Sequence, residues 1–78
     1  MSKLTKIFSA VLDIDEAKIS PELSPENTPS WDSLNAIVLV SEIEKAFDIR
    51  FEYDEVMSVK NFADVLKLTG SKGADVNA

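Results

Sequence analysis

The residue whose type and setting lend themselves to chemistry is Ser33, in the stretch Ser30-Trp31-Asp32-Ser33-Leu34. A loop containing Pro21, Pro25 and Pro29 delivers the chain to this hydroxyl, and the most apolar helical pattern in the sequence follows, to about Phe47. Ser33 is therefore expected at an exposed helix N-terminus. Such an end presents unpaired backbone N–H groups and the positive pole of the helix dipole, so a phosphodiester attached there is stabilised by the fold that carries it. The competing role is an N-cap, for which Ser is among the best residues and Asp32 a second candidate. Capping and attachment are compatible; if Ser33 is the cap, Ser33→Ala costs about 1 kcal/mol. A hydrolase nucleophile is disfavoured because no His exists to activate the hydroxyl.

The composition narrows the chemistry further. Without His or Cys the chain lacks the usual general base near neutral pH and the strongest nucleophile, so it is not expected to be an enzyme. It also has neither disulfides nor a thiolate metal site. Asp13, Asp15 and Glu16 begin like an EF-hand loop, but the required Gly and terminal Glu are missing. They read as a solvated helix exit, and no metal is expected. With 14 acidic against 8 basic residues, net −6, nucleic acid is disfavoured and basic partner surfaces are favoured. The longest apolar run, Ala36 to Val40, is five residues, against about 20 for a spanning helix. No long apolar signal core is seen near Lys3 and Lys6, so a soluble, cytoplasmic protein without membrane insertion is expected.

The elements that position Ser33 follow from periodicity. At 78 residues, 45% of them apolar, the chain is long enough for one small folded domain and too short for a deep catalytic cleft. Leu4, Ile7, Phe8, Val11 and Leu12 recur at steps of three and four, predicting helix one over 2–12. Residues 13–32 lose that period and gain turn formers, with Ile19 and Leu23 as core anchors. So long a loop needs a job, and spanning the bundle to present Ser33 is one.

Helix two is expected over 33–47. Ala36, Leu39, Val40, Ile43 and Phe47 make its core stripe, while Leu34 and Val38 point away from it and Ile37 lies on its flank. This surplus is either covered by the loop or tolerated at the surface, or else it is a docking face on which Glu42, Glu44 and Asp48 supply a charged rim. Ile49 and Phe51 lead out as a core-anchoring loop. A short helix is expected over 53–57, with Asp54 and Glu55 in its first turn. The last helix is expected over 59–69, with Ser58 as N-cap, an apolar face from Val59, Phe62, Ala63, Val65 and Leu66, and Gly70 as the stop. Residues 71–78 read as a flexible tail. The expected core is Leu4, Ile7, Phe8, Val11, Leu12, Leu39, Val40, Ile43, Phe47, Phe62, Val65 and Leu66.

Trp31-Asp32-Ser33-Leu34, followed by an apolar helix ending Glu42-Ile43-Glu44-Lys45-Ala46-Phe47-Asp48-Ile49, resembles the acyl carrier proteins, whose attachment motif is Asp-Ser-Leu. The resemblance runs from helix one to about Leu68. It implies an all-α bundle of three main helices plus one short helix, a carrier domain over 1–70. It also implies that Ser33 bears 4′-phosphopantetheine, transferred from coenzyme A by a phosphopantetheinyl transferase, with Asp32 helping that transferase engage. The arm's thiol would then hold an acyl group as a thioester, compensating for the absent Cys. Further implied partners are an acyl-loading ligase or acyltransferase and a downstream synthase or transferase, met through Leu34, Ile37, Val38 and Glu42 by a free-standing monomer. In the family the short helix flanks the acyl-chain cavity, so Val56 and Met57 either line it or plug the core.

Two departures from the fatty-acid carrier pattern stand out. Asn35 and Val38 occupy exposed positions that are often acidic there, and Trp31 replaces a small residue. Trp31 resembles the Trp-Asp-Ser-Leu form of carriers serving specialised polyketide, lipid or other secondary-metabolite pathways; it either clamps the loop or meets a partner. Two other functions remain open: a peptidyl or aminoacyl carrier using the same arm, and an unmodified helical adaptor.

Overall fold

The computed structural model describes residues 3–74, all of whose regular elements are helical: α1 (Lys3–Leu12), α2 (Ser33–Phe47), α3 (Tyr53–Ser58) and α4 (Phe62–Ser71). The fold is thus three main helices plus one short one. α1 buries Leu4, Phe8 and Leu12 at steps of four, the spacing that lines up one face of a helix. It ends where Asp13 turns into the left-handed region (φ 55°) and Ser9 Oγ donates to the Ile14 carbonyl at 2.6 Å. Asp15 then caps a single 3-10 turn, Glu16–Lys18, accepting from the Ala17 N–H at 3.0 Å. The helix exit, with Asp13 and Asp15 exposed, thus also carries a second, smaller cap.

The loop that follows is ordered by a repeat. Ser20-Pro21-Glu22-Leu23, Ser24-Pro25-Glu26-Asn27 and Thr28-Pro29-Ser30-Trp31 are three successive turns, each closed by a backbone bond from its fourth N–H to its first carbonyl (3.0, 3.2 and 2.9 Å). Each has a hydroxyl residue first and Pro second, the positions these residues favour in type I turns. Asn27 knits the turns together: its Oδ1 accepts from the Ser24 N–H and the Thr28 hydroxyl, and its Nδ2 donates to the Glu22 carbonyl. Leu23, Thr28 and Trp31 are buried beneath it.

α1 and α2 meet at opposite ends, with the Lys3 ammonium donating to the Ala46 carbonyl (3.3 Å) and lying 5.2 Å from the Phe47 ring centroid. Phe8 joins the layers: its ring is edge-on to Trp31 of the loop (centroids 5.2 Å) and to Phe62 of α4 (4.8 Å). The core comprises Leu4, Phe8, Leu12, Leu23, Trp31, Leu39, Ile43, Phe62 and Val65, with Ile7, Val11, Phe47 and Leu66 partly buried against it. Val40, expected in that core, instead lines a cavity. Thr69, at 0% exposure, is a core position the apolar pattern does not mark.

Three expectations are corrected. Ser58 does not cap the last helix: it ends α3, its hydroxyl donating to the Glu55 carbonyl (2.7 Å). The cap is Asn61, which accepts from the Asp64 N–H (2.9 Å) while Asp64 accepts from the Lys60 N–H (3.0 Å), a reciprocal arrangement unavailable to Ser58. The Phe62 and Ala63 N–H groups are taken by the Leu23 and Pro21 carbonyls of the loop, so α4 starts where the loop supplies acceptors. Gly70 does not stop α4, which continues through Ser71; Gly73 (φ 89°) makes the left-handed step. Glu44 is not part of an exposed rim, because its Oε2 accepts from the Phe51 N–H (2.8 Å) and fixes the return after α2. Of the expected tail, residues 75–78 lie outside the described residues, as does Ser2 at the expected start of helix one.

Candidate functional site at the start of α2

Trp31, Asp32 and Ser33 bridge the last Pro turn and α2. Asp32 is extended (φ −103°, ψ −176°); its Oδ1 accepts from the Asn35 N–H at 2.9 Å and its carbonyl from the Ala36 N–H at 2.9 Å. It is the N-cap. Asn35 completes the joint, its Nδ2 donating to the Ser30 carbonyl at 2.7 Å and pinning turn to helix. Ser33 is consequently the first helical residue, exposed, and its hydroxyl makes no hydrogen bond among the described residues. The Ser33 and Leu34 N–H groups likewise have no acceptor among those residues, as expected for the first turn of a capped helix.

Asp32 and Ser33 also form part of the wall of a cavity of about 360 Å3. Every other lining residue is apolar. Phe8 comes from α1, Pro25 and Trp31 from the loop, Ala36, Leu39, Val40 and Ile43 from α2, and Val65 and Leu68 from α4. Phe51, Val56 and Val59 complete it from α3 and its flanking segments. A cavity of this size and lining, with polar groups confined to one place, has the character of a site for an apolar ligand. Val56 belongs to it, whereas Met57 does not and is 65% exposed.

The remaining expected site residues lie along α2 beyond Ser33. Leu34 and Ile37 are 71% and 68% exposed, Val38 is marginally so, and Glu42 is exposed. On α3, Tyr53 and Met57 add exposed apolar surface at i, i+4 spacing, a helical signal readable in the sequence but too short to stand out there. α3 itself buries no residue; Glu55 holds it, accepting from the Glu52 N–H (2.8 Å) and pairing with Lys72 beyond α4 (2.7 Å). The Lys72 ammonium, and secondarily the Glu52 N–H, keep the Glu55 carboxyl below its usual range.

Comparison with known proteins places these features. The family model described as phosphopantetheine attachment site matches residues 2–69. The acyl carrier protein of Karelsulcia muelleri (strain GWSS) is 45% identical over 49 residues, which are 63% of this chain and 59% of that protein. The aligned part thus falls short of two thirds of that relative's length. The solution structure of holo acyl carrier protein from Geobacter metallireducens superposes with a TM-score of 0.81 at 33% identity, covering 88% of this chain and 79% of the other.

Proposed function

The chain belongs to the phosphopantetheine attachment-site family, among the acyl carrier proteins, and from that membership we propose that it tethers acyl groups on an arm attached at Ser33 and delivers them to partner enzymes. The observation that carries this reading is the division of labour at the helix start. Asp32 does the capping, which leaves the Ser33 hydroxyl exposed and unspent beside an apolar cavity. The cofactor is 4′-phosphopantetheine, and the residues fit it: a free hydroxyl for the phosphodiester, with unpaired Ser33 and Leu34 N–H groups at the positive end of α2 to favour the phosphate charge. When bound, the group supplies a thiol that carries the acyl chain as a thioester. Ser33 anchors it, Asp32 holds the helix start open and engages the transferase, and the cavity shelters apolar cargo.

The lining favours an acyl over an aminoacyl or peptidyl cargo, because a charged amine among Phe8, Leu39, Ile43 and Val65 would be buried without a partner. Leu34, Ile37, Val38 and Glu42, extended by Tyr53 and Met57 on α3, are the proposed docking face for a phosphopantetheinyl transferase, a loading ligase or acyltransferase and a downstream synthase or transferase. The weakly charged start of that face supports service in a specialised pathway, with the carrier acting as a cytoplasmic monomer. Among the described residues no helix is long and apolar enough to cross a membrane. The test is intact mass after incubation with coenzyme A, magnesium and a broad-specificity phosphopantetheinyl transferase. A gain of one phosphopantetheine on the wild type and none on Ser33→Ala is expected. No gain on folded wild type with several transferases would favour the adaptor.

A further inference from the structure

Trp31 stands two residues before Ser33, is 6% exposed and is the largest side chain lining the cavity. It sits on the loop, whereas Phe8, Leu39, Ile43 and Val65 in the same wall belong to helices packed by the rest of the core. Its ring is edge-on to Phe8 in the same wall, and Phe8 is braced from behind by an edge-on contact with Phe62, so the cavity extends past Trp31 and Phe8 only if an aromatic contact is lost. The Pro29 turn before it and the Asn35 clamp after it deny Trp31 the freedom to swing aside.

We propose that Trp31 sets the length of acyl chain this carrier can shelter; the proposal rests on the acyl-carrier reading above. At about 30 Å3 per water-sized group, 360 Å3 holds on the order of ten methylenes, which fixes the scale of the limit. Longer chains leave their ends outside. Trp31 is also the only tryptophan in the sequence, so its emission reports on the cavity directly.

The experiment loads Ser33 with pantetheine thioesters of saturated acyl groups of increasing length, each confirmed by mass, and reads two quantities. One is Trp31 emission; the other is the rate of thioester cleavage by hydroxylamine. In the wild type, emission changes progressively with chain length. Cleavage slows by up to about fourfold per added carbon, the equivalent of burying one methylene, until both level off near ten carbons. In Trp31→Leu and the more conservative Trp31→Phe, the levelling in cleavage moves to longer chains. An unmoved break in a variant whose circular dichroism shows it folded refutes the role of Trp31 and leaves acyl shelter standing. Should both variants fail to fold, wild-type emission indifferent to chains that are nevertheless protected refutes it instead, while emission that tracks the protection supports it. Cleavage and emission both independent of length in the wild type overturn acyl shelter and the proposal with it.

Discussion

The capping arrangement at the start of α2 separates two adjacent residues energetically. Asp32→Ala removes the acceptor of the Asn35 N–H, a 2.9 Å bond, together with a carboxylate at the positive end of a fifteen-residue helix. Loss of such a cap costs about 1 kcal/mol, and the loss of charge near the dipole adds roughly 0.3–1 kcal/mol. For a domain of this size that is a fall in Tm of roughly 5–15 °C. Ser33→Ala removes an exposed hydroxyl that bonds to nothing among the described residues, so its effect stays within about 0.5 kcal/mol. The cap penalty foreseen for Ser33→Ala belongs to its neighbour. Thermal unfolding of the unmodified proteins, followed by circular dichroism at neutral pH, measures both. Equal falls in Tm for the two variants, or a larger one for Ser33→Ala, would refute the assignment of the cap to Asp32 and the claim that the Ser33 hydroxyl is free for attachment.

Thr69 is fully buried with its hydroxyl unpaired among the described residues, so Thr69→Val should raise stability by about 1 kcal/mol in chemical denaturation. Asp48 is left-handed (φ 55°) and places a carboxylate at the negative end of α2; Asp48→Asn keeps the tolerated backbone, removes the charge and should add roughly 0.3–1 kcal/mol, seen as a higher Tm. The Glu55 carboxyl titrates below its ordinary value of 4.5, so its pairing with Lys72 stabilises the fold above that pH and is lost as pH falls through the depressed value. Amide exchange in α3 should therefore quicken in that acid window, and Lys72→Ala should raise the Glu55 titration point in a carboxyl-detected NMR experiment. Ile37→Glu, at a 68% exposed position, should leave Tm unchanged but slow transferase loading of Ser33 by about tenfold, the scale of a lost interface anchor; unchanged loading kinetics would remove Ile37 from the docking face.

What the sequence determined by itself was whatever neighbours along the chain dictate. The four-residue spacing of Leu4, Phe8 and Leu12 selects a helix and its buried face, and an Asp-Ser pair ahead of an apolar period marks a capped helix start. The three Ser/Thr-Pro turns are local in the same way, a four-residue repeat of a hydroxyl residue followed by Pro. Tertiary structure decided the matters in which two sequence-compatible answers compete. Ser58 was the expected cap for α4, but the cap is Asn61, paired with Asp64, and the helix starts where the Leu23 and Pro21 carbonyls, some forty positions earlier in the chain, accept from Phe62 and Ala63. Trp31 was either a partner contact or a clamp, and the Phe8 ring against which it closes makes it the clamp. Val40 was expected in the core and Val56 in either core or cavity; both line the cavity, which depends on how closely α2, α3 and α4 approach one another. Local periodicity fixes which face of an element is apolar; whether that face meets another side chain or an empty space is a property of the whole packing, to which every element contributes and which no single stretch encodes.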